Sequence, residues 1–317
     1  MKSMFVISSL NIDMVASVEH LPRRGETIFA NRFESFFGGK GANQAIAAAK
    51  LGATVALYGK VGADAYGAEY RQMLENLPLK ELQIDVSETE PTGRAFIHVS
   101  ESGENQITVI PGANLSIQKE DIQKLSLIHK NTALALSQFE VPQEATVKAF
   151  MRAKQENPQC LTIFNPAPIM PITDELWNCI DILIPNETEI KGICQQSFHN
   201  TEDLVSACQT LIADKNVKCV IVTMGEKGSL FVTKDFYHVI PAEKVTAKDT
   251  TAAGDSFIGA FASYLLGQEK VTDKTLLDSV AYANLVASIT VQTAGAQSSL
   301  PTKKDVEKQN WLNGTYQ

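Results

Sequence analysis

Short apolar runs recur along this chain between segments of helical period, and no other feature of the sequence restricts its fold so strongly. The runs are MFVISSL, ATVALYGKVG, TALALSQFE, CLTIFNP, DILIPNETE and KCVIVTMG. Strands buried on both faces read as near-continuous apolar runs, so the pattern predicts an α/β protein, a three-layer αβα sandwich around a mostly parallel sheet. In the first helical segment Ala42, Ala45, Ile46 and Ala49 fall at i, i+3, i+4 and i+7, and Gly52 supplies the stop. The small residues on that face allow close approach to the sheet. At 317 residues and 44% hydrophobic composition, one large domain with a substantial core is expected.

Two segments break the rhythm, residues 14–37 and 92–110. In the second, TGRAFIHVSESGENQITVI reads as two strands around a Ser-Gly-Glu-Asn turn. Together they predict a small β lid, and stretches 1–13, 38–91 and 111–317 make the catalytic domain. A small sheet with one apolar face needs cover, so a lid that also joins two copies as a homodimer is expected. The tail beyond Pro301, ending WLNGTYQ, reads as a short helix with a frayed end.

A net charge of -8 repels a polyphosphate backbone and argues against a nucleic-acid partner. No run approaches the roughly 20 apolar residues of a membrane span, and a cytoplasmic location is expected. The five cysteines are odd in number with no C-x-x-C pair, and the five histidines lack ligand spacing. Reduced thiols are predicted, and histidine carries none of the chemistry.

Several predicted strands end at polar residues: Asn11 and Asp13, Glu140, Asn165, Asn186, and Thr223 to Gly228. Ligands of open α/β sheets bind outside the carboxyl ends of strands, so one cleft would gather them. In FGGKGANQA two glycines open onto a helix, and Asn43 can both donate and accept hydrogen bonds, which suits a polyol; a plain tight turn is the alternative. Lys40 is not part of a phosphate loop, because G-x-x-x-x-G-K-[ST] is absent. In DTTAAGDSFIGAF a polar turn runs into an apolar helix, placing the N–H groups of Ala252, Ala253, Gly254 and Asp255 at a helix N-terminus as an anion hole. Asp255 reads either as a capping residue or as the proton acceptor of alcohol phosphorylation. PNETE offers Asn186 and Glu189 for the hydrated shell of Mg²⁺, or for a helix cap, and TMGEKGSLF is a nucleotide cradle or a hairpin.

Together and in this order, these runs resemble the PfkB-type carbohydrate kinases. GGKGAN and D-T-x-x-A-G-D are the two family signatures, about 210 residues apart, and the similarity runs from SSLNID to GAQSSLP. The resemblance implies that Asn11, Asp13, Gly39, Lys40, Asn43 and Glu140 line a sugar site with Asp255 as base. It implies that Asn186, Thr223, Gly225, Glu226, Gly228, Gly254 and Asn284 contact ATP, with Glu189 near Mg²⁺. It also implies a K⁺ site at Asp249, Thr251, Thr290, Thr293, Gly295 and Ser299.

Within the family the chain is most similar to the branch acting on the 5-hydroxyl of D-ribose, with deoxyribose as the alternative. Asn11 discriminates, since an apolar residue there would suit a sugar lacking a hydroxyl. A non-catalytic sensor would have lost Asp255, Gly254, Asn186 or Glu189, and all four are present. A dinucleotide oxidoreductase fails for want of G-x-G-x-x-G after the first strand. Many members have Gly where this chain has Ala252, a change expected to be harmless if that residue avoids positive φ.

Overall fold

In the computed structural model, which describes residues 1–309, the six apolar runs become strands of one nine-stranded sheet. In chain order the strands are β1 (Ser3–Ile7), β2 (Asn11–Val18), β3 (Arg32–Gly38), β4 (Val55–Gly62), β5 (Glu81–Ser87), β6 (Gly93–Ser100) and β7 (Asn105–Ile110). There follow β8 (Thr132–Gln138), β9 (Leu161–Asn165), β10 (Ile182–Leu183), β11 (Cys219–Thr223), β12 (Ser229–Val232) and β13 (Tyr237–Ile240). The large sheet has the order β13-β12-β11-β10-β9-β8-β1-β4-β5. Every pair from β11 to β5 is parallel, and the β12–β13 edge is antiparallel.

The helices are α1 (Lys40–Lys50), α2 (Ala65–Glu75), α3 (Lys119–Lys124), α4 (Gln143–Glu156), α5 (Asp174–Trp177), α6 (Glu187–Cys194), α7 (Thr201–Lys215), α8 (Ala253–Leu266), α9 (Asp273–Thr290) and α10 (Lys303–Glu307). Alternate residues of the central strands feed two cores. Met4 and Val6 pack toward α1, α8 and α9, whereas Phe5 and Ile7 pack toward α4 and α7. Helices on both faces of a mostly parallel sheet make the three-layer sandwich that the apolar runs predicted.

The predicted stop of α1 is seen: Gly52 has φ +95°, and the N–H groups of Gly52 and Ala53 donate back to Ala49 and Ala48. Gly259 decides how α1 meets α8. A side chain there would collide with the Gln44 carbonyl and with Ala47, so its absence lets the two helices pack closely at this point.

A second sheet has the order β3-β2-β6-β7. It begins at Asn11, ahead of the expected boundary at 14, because Asn11–Asp13 pair with both β3 and β6, and Asn11 and Asp13 therefore stand on this sheet. Asp13, Val15, Ile97, Ile107 and Val109 share one face by the two-residue strand period. Ile107 and Val109 remain exposed. A short helix does follow Pro301, as α10, while the WLNGTYQ end lies outside the described residues.

Candidate functional site

The carboxyl ends of β1, β8, β9, β10 and β11 converge with the N-termini of α1 and α8. A cavity of about 240 Å³ at this edge is lined by Lys40, Asn186, Glu189, Thr223, Gly254 and Asp255, among others. A larger recess of about 570 Å³ between α6 and α7 contains none of the residues singled out in the sequence.

One wall is built on the turn from β1 into β2. Gly39 holds φ +100°, and a side chain there would strike the Ser9 carbonyl, so this glycine serves packing between two protein segments as well as any ligand. The N-terminus of α1 has no side-chain cap of its own. Glu140, just past the end of β8, supplies one from a distance: its Oε2 accepts from the Lys40 N–H at 3.0 Å and from Ser9 Oγ at 2.6 Å. A carboxylate at a helix N-terminus also meets the positive end of the dipole.

Asn11 is nearly fully buried, and its amide is oriented by Asn114. Asn114 Oδ1 accepts from the Leu10 N–H, which turns Asn114 Nδ2 toward Asn11 Oδ1 at 2.7 Å. Asn11 therefore points its own N–H groups toward Glu140 and the cleft. The Asp13 carboxylate receives no hydrogen bond from any described residue. Burial first, then the charges of Glu140 and Asp255, push its carboxyl up to about 7, with Lys40 pulling the other way.

Across the cleft, Asp255 lies in the first turn of α8, and α1 reaches it. Asn43 Nδ2 donates to Oδ2 at 3.0 Å, and Gln44 Nε2 donates to Oδ1 at 2.9 Å. Asn43 Oδ1 is buried without a partner among the described residues. Burial raises the Asp255 carboxyl, while Lys40, Asn43 and Gln44 lower it, and burial wins. Burial lowers the Lys40 ammonium, but the charges of Asp255, Glu140, Glu189 and Asp13 outweigh it and keep the group above the ordinary lysine value.

Around the α8 N-terminus two expectations change. Ala252 adopts φ +60°, the left-handed conformation that a harmless replacement of Gly would have avoided, because the chain must reverse there to aim the helix at the cavity. The Ala253 N–H donates to the Thr250 carbonyl at 3.2 Å. Among the described residues, the N–H groups of Ala252, Gly254 and Asp255 at this terminus then have no partner, and nothing described lies within 4 Å in front of Gly254.

On the far side, PNETE is a capping box. Asn186 accepts from the Glu189 N–H, and the two Glu189 oxygens accept from Asn186 N and Nδ2 at 2.8 and 2.9 Å. The same Glu189 carboxylate lines the cavity, so the cap does not remove it from reach of a ligand. TMGEKGSLF forms the β11–β12 hairpin around Gly225 and Gly228, both at positive φ, with Glu226 exposed at its tip. Asn284 on α9 gives its amide hydrogens to Ser229 Oγ and the Ile240 carbonyl, leaving only Oδ1 for a ligand.

Asp249 joins two loops beside the hole: Oδ1 accepts from the Thr251 N–H and Oδ2 from the Gly295 N–H, both at 2.8 Å. Burial pushes its carboxyl up, but these donors outweigh burial and hold it below the usual carboxylate value. Thr290 and Ser299 are buried and bond to backbone carbonyls of their own turns, while Thr293 is exposed. Sequence reasoning assigned no role to Gln44, Asn114 or Ser9, and placed Asn165 at the cleft without giving it one. Gln44 adjoins Asn43 within the glycine motif, which was the available signal; nothing local marks Asn114.

The family model described as pfkB family carbohydrate kinase matches residues 1–303. A ribokinase of Staphylococcus aureus is 36% identical over 308 residues, covering 96% of this chain and 98% of its own length. A deoxyribokinase of Salmonella typhi is 34% identical over 309 residues, covering 97% and 98%. The solved structure of Arabidopsis thaliana ribokinase complexed with ribose and ATP superposes with a TM-score of 0.85 at 29% identity, covering 99% of this chain and all of that one.

Proposed function

The chain belongs to the pfkB family of carbohydrate kinases, and on that premise we propose that it transfers the γ-phosphoryl group of ATP to the 5-hydroxyl of D-ribose. One observation carries the reading: a half-buried carboxylate, Asp255, sits in the same helical turn as N–H groups that have no partner among the described residues and face one cavity. Alcohol phosphorylation needs that pairing of a proton acceptor with a preorganised anion site.

In this mechanism Asp255 takes the proton of the attacking hydroxyl as its oxygen bonds to the γ-phosphorus, and the bond from that phosphorus to the bridging oxygen of ADP breaks. The N–H groups of Ala252, Gly254 and Asp255, with the Lys40 ammonium, hold the charge that develops. Burial makes Asp255 a stronger base than an exposed aspartate. Asp13, whose acceptor positions no described protein group fills, takes sugar hydroxyls together with Asn11, Glu140, Asn43 and the Gly39–Lys40 turn. Asn186, Thr223, Gly225, Glu226, Gly228 and Asn284 border the nucleotide.

Magnesium fits Glu189 through water, since Asn186 already donates to each of its oxygens and Mg²⁺ keeps most of its hydration. When bound it neutralises charge on the phosphates. K⁺ would be held beside the loops that Asp249 joins, by oxygens of Asp249, Thr251, Thr290, Thr293, Gly295 and Ser299.

Ribose is preferred over deoxyribose because Asn11 is buried and fixed with its N–H groups toward the cleft. An unmet buried polar group costs about 1–3 kcal/mol, roughly ten- to a hundredfold in discrimination. An ADP-release assay across ribose, deoxyribose and fructose, with and without potassium, tests this; faster turnover on deoxyribose overturns the choice. Asp255→Asn should lose turnover by about 10²- to 10⁴-fold while binding sugar. The lid face bearing Ile107 and Val109 is covered by a second copy in our reading, and sedimentation showing only monomer at micromolar concentration removes that part.

A further inference from the structure

Gln44 is fully buried one residue after Asn43, and its amide group is pinned from behind. Asn165, at the end of β9, donates its Nδ2 to the Ile184 carbonyl at 2.9 Å. A carbonyl only accepts, so the Asn165 amide has one permissible orientation, with Oδ1 toward α1. That oxygen accepts from Gln44 Nε2 at 3.2 Å. The orientation passes along the chain: Gln44 must present N–H groups to Asn165, and its other Nε2 hydrogen meets Asp255 Oδ1 at 2.9 Å. The cost is visible at the opposite atom, since Gln44 Oε1 is buried with no partner among the described residues.

We propose that Gln44 is a positioning residue for the base: an obligate donor, set by the Ile184–Asn165 relay, that fixes the plane of the Asp255 carboxylate and favours its ionised form. The inference rests on Asp255 acting as base. Asn43 donates to the other oxygen at 3.0 Å, so each carboxylate oxygen carries one fixed donor and keeps acceptor capacity for the sugar proton. The charged groups facing Asp255 from other elements are Lys40 on α1, Glu140 beyond β8, Asp13 on β2 and Glu189 on α6. Lys40 is the one cation among them, and the Gln44 donor acts in the same direction without adding charge.

The test is the acid limb of the kcat profile of the full-length enzyme at saturating ribose, which reads Asp255 in the sugar complex apart from the effect of Asp13 on KM. Gln44→Met keeps the volume and removes both donors; it should move the limb upward by about one pH unit, a tenfold loss on the acid side. Gln44→Glu, which places a second carboxylate against the first, should move it further. Asn165→Ala leaves Gln44 in place but removes one of the two acceptors that hold its amide, and should shift the limb the same way by less. Thermal melts establish folding. A folded Gln44→Met enzyme with an unmoved limb overturns the proposal, and if that variant does not fold, an unmoved limb in Asn165→Ala overturns it instead. Asp255→Asn separates the two readings: near-normal turnover there sinks the base assignment, whereas an inactive Asp255→Asn beside an unmoved Gln44→Met limb removes Gln44 alone.

Discussion

Replacing Asp13 by Asn should stabilise the ligand-free protein, and by an amount that grows with pH. The Asp13 carboxyl is pushed from 3.8 to about 7 by burial and by Glu140 and Asp255. The unfolded chain releases this proton near its ordinary value, the folded chain only near 7. Between those values the folded state binds more protons, so wild-type stability falls as pH rises through the window. A pKa difference of about three between the two states, at 1.36 kcal/mol per pH unit, gives roughly 4 kcal/mol lost by pH 8. Asn carries no such penalty, so Asp13→Asn should match wild type near pH 4 and exceed it by about that amount at pH 8. Urea denaturation at about pH 4.5, 6 and 8, at constant ionic strength, measures the difference from midpoints with unchanged slope. The same titration should weaken ribose binding below pH 7, with KM rising about tenfold between pH 8 and pH 6 if the ionised form takes the hydroxyls. A stability gain that is absent, or equal at all three pH values, refutes the reasoning.

Ala252→Gly relieves a left-handed alanine and should stabilise by up to about 1 kcal/mol, part of the gain being offset by the freer unfolded chain; a thermal melt reads it. Asn114→Ala strips the Leu10 backbone and Asn11 of partners, costing about 2–3 kcal/mol and lowering the ribose-to-deoxyribose ratio of kcat/KM. Asp249→Ala unties the two loops at Thr251 and Gly295 and should flatten the response of turnover to added KCl, with stability lowered by about 1–3 kcal/mol in the melt.

Much of the fold was legible because its signals are local. An apolar run bounded by polar residues is a strand wherever the chain carries it, and the GANQAIAAAKLG period is a helix with its own stop. The two-strand reading of TGRAFIHVSESGENQITVI likewise needed only the turn within it, now seen between β6 and β7. The start of the second sheet at Asn11 was not legible, because pairing of Asn11–Asp13 with Gly93–Ala95 joins segments some 80 residues apart.

The sequence by itself determined which chemical groups arrive at the sheet edge: a carboxylate in a first helical turn, a glycine turn with an amide behind it, and a capping box beside a strand end. Tertiary structure decided which of their hydrogens and lone pairs remain for a ligand. Gln44 and Asp255 are 211 residues apart, and they meet only because Gly259 lets α1 and α8 close. Asn284 and Glu189 carry the expected groups, but neighbours already occupy part of their hydrogen-bonding capacity. Periods of 2 and 3.6 are written in neighbouring residues, whereas the partner of a buried polar atom is set by packing between distant ones.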